Sequence, residues 1–92
     1  MSSGRTPVVP NELDPTLYLA LLSARTAAIR LAQDRTRSFE DRLALVLLLA
    51  RRVQRLLDEG RDELIPVLAK RFLSADYQDR SLVRLARIRS RR

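Results

Sequence analysis

The sequence predicts an all-α fold, a small bundle of three to four helices with a basic helix at its C-terminal end. Apolar residues recur at alternating steps of four and three along two long segments, which is the spacing of a packed helix face. Residues that favour helix ends stand at the borders of these segments. The 92 residues show no alternating pattern typical of β-strands, so one small helical domain is expected.

The first helix is predicted to begin at Asp14-Pro15 and to run to about Arg35. An Asp side chain accepts hydrogen bonds from free backbone N–H groups, and Pro suits the first helical position. Residues 1–12 contain two Pro and one Gly without any period, which indicates a flexible arm. The packed face of the helix is rich in small residues, which would let a neighbouring helix approach closely; its members are Leu13, Leu17, Ala20, Ala24, Ala27 and Leu31.

The second helix is predicted to start at Ser38, with Asp41 completing a variant of the capping box, and to end at Gly60. Its regular stripe consists of Phe39, Leu43, Val46, Ala50, Val53 and Leu57. A second, wider stripe is formed by Leu45, Leu48, Leu49 and Leu56.

The segment 43–50 contains no polar residue, so a helix there must be surrounded by protein. Segment 17–22 is nearly as apolar, with only the hydroxyl of Tyr18 polar. Two such helices are hard to cover within one short chain. We therefore expect self-association or a larger protein partner, with an interface at Leu19, Leu22, Leu45, Leu48 and Leu49.

A third helix is predicted from Asp62 to Ser74, and a fourth from a cap at Asp76 into an arginine-rich end. The predicted organisation is thus an arm at 1–12, a helical core at 13–79 and an arginine-rich helix or tail at 80–92.

The positive charge is concentrated at the C-terminal end. The net charge is +7, and residues 80–92 hold six arginines and no acid. Four arginines, from Arg80 to Arg91 at steps of four, three and four, share one helix face at a spacing near that of backbone phosphates, which favours binding of RNA or DNA without sequence readout. The nucleic-acid-binding residues predicted on this basis are Arg80, Arg84, Arg87, Arg89, Arg91, Arg92, Tyr77, Arg51, Arg52 and Arg55.

The composition argues against most enzyme classes. The chain has no Cys, no His and only two Gly, so thiolate and imidazole chemistry and glycine-rich phosphate loops are excluded. The paired acids stand at predicted helix ends, where capping accounts for them. We therefore expect no catalytic residue, no metal and no cofactor. No segment is long and apolar enough to cross a bilayer, and a cytoplasmic location is expected.

Residues 42–52 resemble the central helix of the omega subunit of bacterial RNA polymerase. An Arg, an apolar Leu-Val stretch and an Ala-basic-Arg ending recur in that family at similar spacing. The resemblance covers a small part of the chain and implies an accessory subunit of a transcription complex.

These observations lead to one main expectation and two alternatives. The main expectation is a non-enzymatic subunit of a nucleoprotein assembly that holds a phosphate backbone through its C-terminal arginines. The first alternative is a protein–protein adaptor or accessory subunit, in which the arginines meet an acidic protein surface or solvent. A weaker alternative is binding to a membrane surface through the basic fourth helix.

Overall fold

A computed structural model describes residues 14–90, which form four α-helices and no strand. The helices are α1 (Pro15–Gln33), α2 (Phe39–Asp58), α3 (Ile65–Phe72) and α4 (Ala75–Ser90). The predicted all-α bundle is therefore confirmed. The predicted arm at 1–12 lies outside the described residues.

The first two helices begin where their capping residues predicted. The Asp14 carboxylate accepts a hydrogen bond from the Thr16 N–H at 3.3 Å, and Pro15 is the first helical residue. The Ser38 hydroxyl accepts from the Asp41 N–H at 3.1 Å. Gly60 follows the end of α2 with a φ of 69°, a left-handed conformation that side chains with a Cβ rarely adopt.

The last two helices differ in detail from the prediction. Residues Asp62–Leu64 form a 3-10 turn before α3, so the α-helix itself begins at Ile65. The predicted cap of α4, Asp76, already lies inside the helix, which begins at Ala75. Ser74 caps the helix instead, since its hydroxyl accepts a hydrogen bond from the Tyr77 N–H at 3.4 Å. Helix α4 continues without a break past residue 80, where the sequence placed a boundary.

Three helices supply the apolar core. Small side chains lie among its buried residues, in agreement with the close helix approach predicted for α1. The buried apolar residues are Ala20, Ala27 and Leu31 from α1, Leu45, Leu49 and Val53 from α2, and Ile65, Ala69 and Phe72 from α3. Helix α4 buries two polar side chains instead, Gln78 and Ser81.

The inward face of α2 differs from the regular stripe predicted for it. Phe39 is 68% exposed and Leu43 46% exposed, although both were assigned to that stripe. Leu45 and Leu49 are buried within this chain, so their prediction as interface residues is wrong. Because segment 43–50 is apolar on every side, no polar residue marked which side faces the core.

None of the helices in residues 14–90 combines the length and apolar character that a membrane crossing would require.

Candidate docking surfaces

A crevice between α1 and α3 exposes apolar side chains to solvent. It has a volume of about 380 Å³, and we call it the α1–α3 crevice. Leu19, which lines it, is 60% exposed, and Leu22 is 38% exposed. Its lining residues are Leu19, Leu22, Ser23, Thr26, Arg30, Pro66, Ala69, Lys70 and Leu73. Two residues of the predicted interface, Leu19 and Leu22, thus come together here.

Two cations stand among the lining residues of the α1–α3 crevice, and no acid does. They are Arg30 and Lys70, the latter being the single lysine of the chain. Neither forms an ion pair within residues 14–90. An apolar floor with uncompensated positive charge at its rim can bind a protein segment, as helix-binding grooves do.

A second crevice lies between α2 and α4, with a volume of about 210 Å³. We call it the α2–α4 crevice. Leu48, another predicted interface residue, lines it and is half-buried. The other lining residues are Ala44, Leu47, Arg51, Leu85, Ile88 and Arg89.

An exposed apolar row continues from this crevice along α2. Phe39, Leu43 and Leu47 follow one another at four-residue steps, and we call them the α2 strip. The guanidinium carbon of Arg42 lies 6.0 Å from the centre of the Phe39 ring, and its Nη1 donates to the Ala32 carbonyl at 2.9 Å. Sequence reasoning missed the exposure of this strip, because an all-apolar segment contains no signal that separates its inner from its outer side.

Helix α4 is held to the rest of the bundle by polar contacts together with a few half-buried apolar side chains. Gln78 Nε2 donates to the Phe72 carbonyl at 2.7 Å, and Gln78 Oε1 accepts from Arg37 Nε at 2.7 Å. Arg37 also pairs with Asp79 at 2.9 Å. The Tyr77 ring meets Phe72 edge-on, with the ring centres 5.1 Å apart.

The arginines predicted to contact nucleic acid do not form one free row. The Arg52 guanidinium donates to the Tyr77 hydroxyl, so both groups are engaged within the chain, and Arg80 pairs with Asp76 at 3.1 Å. Arg91 and Arg92 lie outside the described residues. The remaining ones are exposed and form no ion pair within residues 14–90: Arg51, Arg55, Arg84, Arg87 and Arg89.

The turn between α1 and α2 carries a perturbed acid. Hydrogen bonds from the hydroxyl and the N–H of Thr36 lower the pKa of Asp34 below its ordinary value, with a smaller contribution from the nearby charge of Arg37. Arg37 Nε lies 3.8 Å from the Asp34 carboxylate. This turn therefore orients the same arginine that reaches α4.

Residues 25–90 match the family model of the FliB lysine N-methylase C-terminal domain. The chain belongs to this family. The match spans most of the bundle, because every buried apolar residue except Ala20 falls within it. No curated protein and no solved structure matches the chain.

Membership of this family corrects the functional predictions made from the sequence. The prediction of a nucleoprotein subunit is wrong, because the family match points to lysine methylation. The nucleic-acid role assigned to the arginines therefore loses its support. The prediction that the chain is not an enzyme is contradicted as well, since the family is a domain of a lysine N-methylase. The match includes residues 42–52, so it also displaces the omega-subunit resemblance.

Sequence reasoning missed the family because residues 25–90 carry no motif with an obvious chemical role. Within the described part of the chain, no three His, Cys, Asp or Glu side chains cluster in a way that could hold a metal ion.

Proposed function

We propose that this chain acts as a helical, non-catalytic domain in lysine N-methylation, and that its α1–α3 crevice binds the part of the methylase that carries out the reaction. The observation that carries the proposal is the family match across residues 25–90. A cytoplasmic location fits this role.

The lining of the two crevices supports a non-catalytic role. Methylation of a lysine requires that its ammonium group first lose a proton to a base. Neither the α1–α3 nor the α2–α4 crevice is lined by a carboxylate or a tyrosine, and the chain has no His or Cys. These crevices are suited to holding another protein surface.

The position of the α1–α3 crevice supports the rest of the enzyme as its occupant. In a C-terminal domain, the remainder of the enzyme precedes the domain in sequence. Leu19 and Leu22 stand in the first turns of α1, just ahead of the matched residues 25–90, and so lie near the start of the domain in sequence. Covering an exposed leucine contributes up to about 1.5–3 kcal/mol, so a few such residues can support a stable contact.

The proposal is tested by deleting the gene in its source organism and measuring N-methyllysine in cellular proteins by mass spectrometry. Leu22 and Leu21 form a matched pair for complementation, since they are 38% and 41% exposed on the same helix. Leu22 lines the crevice and Leu21 does not. Leu22→Asp places a carboxylate in the contact, which is costly to bury without a partner.

We expect methylation of a defined set of proteins to fall on deletion and to return with the wild-type chain and with Leu21→Asp, but not with Leu22→Asp. Circular dichroism of both purified variants checks that they fold. Unchanged N-methyllysine after deletion would overturn the proposal. If Leu22→Asp instead changes the mass of the purified chain in light scattering, the crevice is a contact between two copies, and the proposed occupant is wrong.

A further inference from the structure

We infer that the α2–α4 crevice and the α2 strip together form a docking surface for an acidic amphipathic helix of a partner protein. This inference goes beyond the proposed function, which concerns the α1–α3 crevice and the rest of the methylase.

The apolar part of the surface has the spacing of a helix-binding groove. Leu47 and Ile88 are each 52% exposed, and both line the crevice. The strip from Phe39 to Leu47 extends the surface by about 12 Å along α2, which is roughly two helical turns. A partner helix with apolar residues at successive turns fits such a row.

The charge around the α2–α4 crevice favours an acidic partner. Arg51 and Arg89 line the crevice, and no acid does. The sequence holds no acid between residues 42 and 57 or between residues 80 and 92. Neither Arg51 nor Arg89 forms an ion pair within the described part of the chain, so carboxylates on an incoming helix would meet uncompensated guanidinium groups.

The same charges argue against a second copy of this chain as the occupant. A two-fold contact brings the same patch of both copies together. Each copy would then place Arg51 and Arg89 against a patch that is lined by the same two cations and by no acid, and like charges repel.

The shape of the α2–α4 crevice, which is one part of the surface, argues against a membrane as the occupant. Leu47, Leu85 and Ile88 line a concave crevice between two helices. Insertion into a bilayer surface instead uses a protruding apolar face with the charges on the opposite side.

The inference is tested by fluorescence anisotropy with the full chain and a labelled synthetic helix of about five turns, roughly 18 residues. The probe carries Leu at helical spacing and Glu on its polar face. In one control peptide Lys replaces every Glu, and in another Ala replaces every Leu. The chain variants are Leu47→Asp and Ile88→Asp in the docking surface, with Leu21→Asp and Leu22→Asp outside it. Circular dichroism confirms that each variant is folded.

We expect the Leu/Glu probe to bind the wild-type chain, and both control peptides to bind at least about tenfold more weakly. Leu47→Asp and Ile88→Asp should each weaken the binding of the probe about tenfold or more, whereas Leu21→Asp and Leu22→Asp should leave it unchanged. Because Leu22→Asp tests the proposed function, that proposal and this inference can fail separately.

Three results would overturn the inference. The first is equal binding of the Leu/Glu and Leu/Lys peptides, since charge would then play no part. The second is loss of binding with Leu22→Asp but not with Leu47→Asp, which would place the probe in the α1–α3 crevice. The third is a chain that binds the probe only weakly but binds vesicles of phosphatidylcholine and phosphatidylserine tightly. If Leu47→Asp abolishes that vesicle binding, the surface is a membrane contact.

Discussion

Helices α1 to α3 and helix α4 are held in the molecule by different forces. The first three share all nine buried apolar residues, so close packing holds them as one block. Helix α4 buries Gln78 and Ser81 and is tied on through the hydrogen bonds of Gln78 and the ion pair between Arg37 and Asp79. One bundle of this size can therefore combine a block stabilised by fully buried apolar side chains with a helix whose fully buried side chains are polar.

The largest effect should follow from a cavity in the block. Leu45 is fully buried, and Leu45→Ala removes packed methyl groups without a replacement. We expect a loss of about 2–5 kcal/mol in the free energy of unfolding. Urea denaturation followed by circular dichroism measures it. Leu47→Ala on the same helix is the matched control, and its side chain is 52% exposed. A similar loss for both variants would contradict the assignment of Leu45 to the core.

A smaller and more local effect should follow from breaking the polar attachment of α4. Gln78→Met keeps the length of the side chain but removes the bonds to the Phe72 carbonyl and to Arg37. We expect a loss of about 1–3 kcal/mol, because buried polar groups are left without partners.

Hydrogen exchange should show where that loss falls. Amides of α4 should lose protection in Gln78→Met before those of the block. Gln54→Met is the control, since this exposed glutamine bonds only with Asp58 on its own helix. Uniform loss of protection in all four helices would show that the bundle opens as one unit and would remove the contrast between its two parts.

The smallest effect should come from Asp34, whose pKa is lowered in the folded chain. A lowered pKa contributes stability that is fully present above the ordinary value of 3.8 and is lost as the pH falls through the folded value. Asp34→Asn should therefore be slightly less stable than the wild type at neutral pH, and the two should converge below pH 3.8. Paired urea titrations across this range measure the difference. If the difference in the free energy of unfolding between the two chains stays constant as the pH falls below 3.8, the charge of Asp34 does not cause that difference.

The sequence predicted the helices well because their ends are decided by short-range chemistry. The backbone hydrogen bonding of each helix is satisfied at its start by Asp14 or Ser38, and it ends at Gly60 in α2. The neighbouring residues in the sequence are therefore enough to locate these helix ends. The side of a helix that becomes buried is decided by distant residues. In the apolar segment 43–50 nothing local separates Leu45, which is buried, from Leu47, which is exposed.

The candidate surfaces were predicted only in part, for the same reason. Leu19 and Leu22 were assigned to an interface and do line a crevice, but that crevice also needs Lys70 from α3 and Leu73, which follows α3. Arg52 and Tyr77 were expected to face a partner and instead bond to each other across two helices. Such pairings depend on how the helices pack, which one sequence does not reveal.

The manner in which α4 is attached also determines how the molecule responds to temperature. The heat capacity of an opening reaction comes mainly from newly exposed apolar area. Release of α4 exposes less apolar surface than opening of the block, since its half-buried apolar side chains are Tyr77, Leu82 and Leu85 and its two buried ones are polar. The enthalpy of releasing α4 should therefore change less with temperature than the enthalpy of opening the block. Cooling should therefore weaken the attachment of α4 less than it weakens the block, whose own stability passes through a maximum and declines in the cold.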